Sequence, residues 1–312
     1  MTSESSQKRF VVPAELSGRP LDGILKTLAA LTWGDARKFI QRGKIKVGGV
    51  VTTKGERRLR TGDVIELTPT APRRTAGPSA ASLDRSRLVY VDPQVVVVDK
   101  PAGISTVPYE AGERGTLDQL VAGLLPKVRG GPPSSLGVVQ RLDKETSGLL
   151  VFARTFAAKK VLGAQLRAHT VHRRYLALAH GVVQKATFRS HIAQNRGDGL
   201  RGASRFGREG QLSVTHVEPV RTFEDATLVA CRLETGRTHQ IRIHLSESGH
   251  PLIGERVYVR DYKGTVIPSP RPMLHAAELG FVHPLHETMM KFEAPLPADF
   301  EAMLERFTRG RG

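Results

Sequence analysis

Residues 69–86 constrain this chain most: a stretch rich in Pro, Ala, Arg, Ser and Gly, with little apolar content, cuts it into two patterned pieces. Such a segment reads as a linker, because it offers no periodic apolar face to pack. It leaves a small unit at 10–68 and a larger one at 87–307, a division that suits a chain of 312 residues. Hydrophobic residues make up 39%, enough to fill a sizeable core, and aromatics only 5%, so Leu, Val, Ile and Ala must do the filling. No internal repeat is visible.

Charge narrows the function. Lys and Arg total 47 against 30 Asp and Glu, a formal charge of +17. That surplus builds a field able to attract a polyanion, of which nucleic acid is the commonest; the plainer alternative is a protein that is merely basic. The one cysteine, Cys231, can form neither an internal disulfide nor a cysteine-rich zinc site. Met1 to Arg9 is polar, unlike a signal peptide, and no stretch approaches the ~20 apolar residues of a membrane span. A cytoplasmic, monomeric protein without membrane contact is expected.

In the first unit Leu21, Ile24, Leu25 and Leu28 fall at helical spacing. A second helix is predicted from Thr32 as N-cap, with Asp35 completing a capping box, Ala36, Phe39 and Ile40 as its apolar face and Gly43 as its stop. Arg37, Lys38, Arg42 and Lys44 line that helix and its exit. Ile45–Val47, Gly48-Gly49 and Val50–Thr52 read as a hairpin, and Asp63–Leu67 as a further strand. Basic helices before small strands suit phosphate reading, with a solvated basic face as the alternative. The segments "RPLDGIL", "ARKFIQRGKIKVGG" and "LRTGDVIEL" resemble the alpha-L RNA-binding domain named after a small-subunit ribosomal protein, over most of residues 19–67, with Gly34 departing from the pattern.

Beyond the linker, Val95–Val98 reads as a buried strand between turns at Asp92-Pro93 and Asp99–Gly103, and the latter turn is given no chemistry. Val138-Val139 and Leu149–Phe152 read as strands joined by a polar loop, Gln140–Gly148, which carries Arg141, Asp143, Lys144 and Glu145. Neighbouring positive charge keeps such a carboxylate ionised, and an ionised carboxylate shielded from bulk water can act as nucleophile or base. A plain turn-forming Asp is the other reading.

Thr238 as N-cap, Ile241 and Leu245 four apart, then Gly249 and Pro251 predict a helix over 239–248 with His239 and Arg242 on one face. Gly236-Arg237-Thr238 offers free backbone N–H groups beside an arginine, suited to a phosphate. His239, His244 and His250 do not form a metal set: on a helix the first two diverge by about 140 degrees, and no HExxH or cysteine pair supports them. Tyr175, in the strand "HRRYLALAHG", either stacks on a base or is packed in a sheet. "RPMLHAAELGFVHP" and "MMKFEAPLP" read as paired strands, with Leu274 and His275 starting the first.

Together "RLDKETSGLLV", "RRYLALAHG", "ETGRTHQIRIHL", "GHPLIGE" and "MLHAAELGFVHP" stand in the order and spacing of the RluA/RluD branch of pseudouridine synthases, and the chain resembles that family over roughly residues 87–300. The resemblance implies an essential carboxylate at Asp143 and an RNA-facing Arg141. It implies that Tyr175 stacks on the target uracil as a candidate proton acceptor, that Arg242 pairs with the carboxylate, and that Leu274 packs against the base. Arg237 and His239 join these as substrate-binding candidates. Gln140 stands where the family usually has His, and Glu255-Arg256 replaces a usual Asp-containing "GD"; neither is expected to touch the carboxylate.

The implied reaction breaks the ribose–uracil nitrogen bond and rejoins the base through carbon five, with Asp143 either attacking the sugar or removing a sugar proton. It needs no cofactor, and the phosphate motif GxxxxGK is absent. The competing classes are a non-catalytic RNA-binding or ribosome-assembly protein and a glycosidase using Glu145 as second carboxylate. The expected target is large-subunit ribosomal RNA, with transfer RNA second. Residues 184–212 and 258–272 are expected to form mobile RNA-contacting loops. The expected fold is α+β: a mixed, mostly antiparallel central sheet with flanking helices, preceded by a small α+β RNA-binding domain.

Overall fold

The computed structural model describes residues 8–41, 43–52, 55–68, 82–109, 113–126, 136–194, 201–204, 210–259 and 261–309. Arg42 and most of the expected linker (69–81) lie outside them. The chain divides into two compact units, Met1–Ser79 and Ala80–Gly312.

The first unit contains β1 (Lys8–Val11), α1 (Leu21–Leu28), α2 (Trp33–Gln41), β2 (Ile45–Val47), β3 (Val50–Val51) and β4 (Val64–Leu67). Its sheet runs β1-β4-β2-β3, each pair antiparallel. The N-cap half of the capping box forms: the Thr32 hydroxyl accepts the Asp35 N–H at 3.1 Å, while the Asp35 carboxylate accepts that hydroxyl at 2.7 Å in place of the Thr32 N–H. Gly48 and Gly49 both take positive φ, 60° and 78°, which is what a tight two-residue hairpin turn requires. Leu21, Ile24 and Leu25 from α1 and Ala36 and Ile40 from α2 close over Ile45, Val47, Ile65 and Leu67.

The second unit is built on one mixed sheet of eleven described strands. They are β5 (Leu88–Val91), β6 (Val95–Lys100), β7 (Gly137–Val138), β8 (Ser147–Ala153), β9 (His172–His180), β10 (Ala186–Ala193), β11 (Gly202–Ala203), β12 (Gln211–Thr222), β13 (Ala226–Leu233), β14 (Leu274–Val282) and β15 (Met289–Glu293). The main order is β11-β10-β12-β13-β9-β14-β8-β6-β5, with β15 on β14 and β7 on β8. The pairs are antiparallel, except that β14 and β8 run parallel. The mixed, mostly antiparallel sheet with flanking helices expected from the sequence is what forms.

Both faces of this sheet are covered, and that explains the unbroken Val95–Val98 run. Val96, Val98, Leu150 and Phe152 pack with α3 (Leu117–Leu124) and α5 (Gln240–Glu247). Val95, Val97, Leu149 and Val151 pack on the other side with Ala158 and Leu162 of α4 (Phe156–Arg167). Successive strand residues point to opposite faces, so a doubly covered strand must be apolar throughout. Leu178 and Leu228 face Phe300 and Met303 of α6 (Ala298–Arg309).

Two sequence expectations fail here. Residues 184–212 are not simply loops: Ala186–Ala193 is a full strand of the sheet, paired along seven residues of β12. Its alternation of Thr187, Arg189 and His191 with Phe188 and Ile192 is a half-covered strand that a bias toward Arg and Gly conceals. Thr238 does not cap α5. The residue before the helix is His239, in the left-handed conformation at φ 59°, and no side chain caps it.

Candidate active site

Asp143 lies in a loop between β7 and β8 that is clasped from two directions. From one side the Thr106 hydroxyl donates to the Leu142 carbonyl at 2.7 Å and accepts the Leu142 N–H at 3.1 Å. Lys100, fully buried at the end of β6, donates to the carbonyls of Pro101, Ile104 and Lys144 at 3.0, 2.8 and 2.9 Å. Gly103 N–H also reaches Lys144 O, at 2.8 Å. From the other side Arg271 donates to the Glu145 carbonyl at 3.1 Å and to the Ser147 hydroxyl at 3.2 Å. The Asp99–Gly103 turn, read as purely structural, is therefore the brace of this loop. Burial pushes the Lys100 ammonium down to about 7, against the opposing pull of Glu145 and Asp143.

The Asp143 carboxylate is 23% exposed and accepts no hydrogen bond among the described residues. Arg242 Nη1 stands 3.7 Å from its Oδ2 and His239 Nε2 3.9 Å from its Oδ1. The sequence pointed to Arg141 and Lys144 as the neighbouring charges; the closest ones come instead from α5 and the residue before it. Arg141 is exposed on the loop.

Local structure explains how α5 presents them. Gln240, buried, uses its side-chain oxygen to accept the Thr235 hydroxyl at 2.8 Å and the Arg237 N–H at 3.0 Å. Its amide donates to Val214 O and to the Thr215 hydroxyl, both at 2.9 Å. This bolts the helix start onto β12 in place of the expected Thr238 cap. It also means that the Arg237 N–H is not free for a phosphate, while the Arg237 guanidinium donates to Leu212 O at 3.1 Å. His239 is held by its backbone twist and by Tyr258, whose hydroxyl lies 2.7 Å from Nδ1. Burial lowers the His239 imidazole, with Asp143 pulling the other way.

Arg242 was expected to pair with Asp143, but its strongest partner is Glu255. The guanidinium forks onto that carboxylate through Nε at 2.7 Å and Nη2 at 2.8 Å. Glu255, expected to stand clear of the site, is 2% exposed and reaches Asp143 through Arg242. Despite the burial that opposes it, the Arg242 fork and two backbone N–H groups hold the Glu255 carboxyl below its usual range.

Tyr175 on β9 and Leu274 at the start of β14 share the apolar cluster that also contains Leu142 and Ile241, which makes a floor beside the carboxylate. Both are nearly fully buried, at 8% and 4% exposure. Burial raises the Tyr175 phenol, as does the Asp143 charge, so it stays protonated at neutral pH.

The histidines of the second unit have other work. His244 lies between the Ser190 and Thr215 hydroxyls, and His250 Nδ1 faces His180 O. Asp92, His283 and His286 place ligand-type atoms within 4.8 Å. There His283 Nε2 is on Asp92 at 2.7 Å, and its Nδ1 accepts N–H groups of Leu285 and His286, so the cluster locks a turn.

Residues 94–247, which span the Asp143 loop, Tyr175 and α5, match the family model described as RNA pseudouridylate synthase. The ribosomal large subunit pseudouridine synthase D of Pseudomonas aeruginosa is 33% identical over 99% of this chain and 98% of its own length. The chain belongs to the RNA pseudouridylate synthase family. The synthase D of Neisseria meningitidis serogroup A is 35% identical over 95% of this chain and 80% of its own length. An uncharacterized RNA pseudouridine synthase of Bacillus subtilis is 35% identical over 88% of each. The solved structure of human RNA pseudouridylate synthase domain containing 4 shares the fold, with a TM-score of 0.57 and 23% identity over 72% of this chain and 93% of that one. As a pseudouridine synthase the chain is an isomerase of uridine in RNA, and no described helix is long and apolar enough to cross a membrane.

Proposed function

We propose that this synthase converts uridine to pseudouridine in large-subunit ribosomal RNA, with Asp143 as the reacting carboxylate. The observation that carries the assignment is the state of that carboxylate: partly exposed, without a hydrogen bond among the described residues, with a guanidinium and an imidazole just outside bonding distance. The target base must leave its helical stack to be reached. The Tyr175 ring and Leu274 then offer it an apolar face, and Asp143 meets the sugar. Whether Asp143 attacks the sugar or removes a sugar proton, it must be ionised and aimed, and Arg242 serves both needs. The protonated Tyr175 phenol suits stacking and hydrogen-bond donation better than proton removal.

The ribosomal target rests on the synthase D relatives, which match nearly the whole chain. In the first unit Arg37 and Lys38 project from α2 with side chains 62% and 65% exposed, and Lys44 follows the helix; these suit the phosphates of a folded RNA, as an alpha-L domain would. The working form proposed with this function is a cytoplasmic monomer.

The test is to map pseudouridine in ribosomal and transfer RNA from cells lacking the protein, then add back wild type or Asp143→Asn. Loss at a large-subunit position, restored by wild type alone, is the expected result. Loss confined to transfer RNA overturns the target, and rescue by the Asn variant overturns the assignment of the carboxylate.

A further inference from the structure

Arg242 stands between two carboxylates and is committed to one. Nε and Nη2, the two nitrogens on one side of the guanidinium, are filled by Glu255 at 2.7 and 2.8 Å; Nη1 is left for Asp143, at 3.7 Å. Glu255 is not free to follow Arg242, because its Oε1 also accepts the N–H groups of Arg256 and Val257 at 3.0 and 2.9 Å. The Arg242 guanidinium is held again from the side by the Tyr258 ring, 5.3 Å from its centroid. A guanidinium is a rigid planar fork, so one anchored through two nitrogens cannot swing its third onto a second carboxylate.

We propose that Glu255 is a positioning residue whose carboxylate holds Arg242 back from Asp143, so that Asp143 keeps the benefit of the positive charge without a hydrogen bond. The proposal rests on Asp143 being the reacting group. Its logic is a compromise between two demands on one carboxylate. A close, charge-assisted hydrogen bond favours the ionised form strongly, and by the same interaction it ties up the electron pair that must attack or take a proton. A guanidinium nearly one ångström farther away still supplies its field and leaves the oxygen unoccupied. The other groups that act on Asp143 or are acted on by it are His239, Tyr175, Lys100 and Tyr258; of these His239 and Tyr258 also feel the Glu255 charge, and the Tyr258 N–H lies 3.4 Å from Glu255 Oε1.

The test compares Glu255→Gln and Glu255→Asp in the full chain, on an RNA substrate that wild type modifies. Gln keeps an oxygen for the Arg256 and Val257 N–H groups but removes the charge that restrains Arg242. Asp keeps the charge on a shorter arm. For the Gln variant, kcat should fall at least about tenfold with KM within about twofold, because the loss is of chemistry rather than binding. The Asp variant should recover most of the rate.

A kcat unchanged in the Gln variant overturns the proposal, as does an equal loss of rate in both variants in step with lost thermal stability. Those outcomes are read with wild type active and Asp143→Asn inactive. A wild type inert on RNA, or an active Asn variant, would instead sink the reading on which the proposal stands.

Discussion

Thr106→Val isolates the clasp on the Asp143 loop. Valine keeps the branched shape of threonine and deletes the hydroxyl, which makes two bonds to one residue, accepting Leu142 N–H and donating to Leu142 O. Thr106 is 3% exposed and Leu142 8%, so the released backbone groups have little water to turn to. A buried polar group left unpaired costs about 1–3 kcal/mol. With two such groups and some relaxation of the loop, the variant should lose about 2–4 kcal/mol of stability. For a unit of this size that corresponds to a drop in melting temperature of about 4–16 °C. The consequence for activity should be larger than stability alone implies. Leu142 precedes Asp143, and a displacement of about 1 Å in a reacting group can cost about a hundredfold in rate. Thermal unfolding and single-turnover pseudouridine formation, the latter at a temperature where the variant is fully folded, measure the two effects. A variant that melts early yet reacts at the wild-type rate would refute the idea that this clasp aims the carboxylate. An unchanged melting temperature would refute the energetic argument.

RNA affinity should fall steeply with added salt, and Arg37→Ala and Lys38→Ala should each flatten the log–log salt slope by about one; an unchanged slope removes α2 from the interface. Burial takes the His244 imidazole down to about 4 from its usual 6.5, so the folded state favours the neutral ring. That contribution is complete above pH 6.5 and is lost as pH falls through about 4; at about 1.4 kcal/mol per unit it comes to about 3 kcal/mol. His244→Gln should therefore show a shallower loss of stability between pH 6.5 and 4 in denaturant titrations. The buried Cys231 thiol is pushed up to about 12, so a thiol reagent at pH 8 should label it only on unfolding, and fast labelling of native protein would contradict its place in the core.

The sequence carried the local parts of this architecture well. The Thr32 N-cap, the hairpin at Gly48-Gly49 and the doubly buried Val95–Val98 strand all follow from neighbouring residues and formed as read. The segments bearing Asp143, Tyr175, Arg242 and Leu274 were also singled out, because their residue order is informative even where their contacts are not. What stayed hidden depends on pairings across long separations. Nothing near Thr106 announces that its hydroxyl binds Leu142, 36 residues on. Glu255 looked like a neutral departure from a pattern until the fold set it against Arg242. Thr238 failed as a cap because the residue before the helix is His239; Gln240, reaching across to Val214 and Thr215, ties the helix start to β12 instead.

The parallel pairing of β14 with β8 sets His275 opposite Ser147 and Ala276 opposite Gly148. A chain emerging from the ribosome has the Asp143 loop available long before Leu274 exists to close the floor beneath it. Until the last eighth of the polypeptide is synthesised, the strand that follows the loop is paired only with β6 and β7, and the pocket lacks one wall. Modification of RNA, as distinct from its binding by the first unit, should therefore become possible only near the end of translation, once β14 has paired with β8.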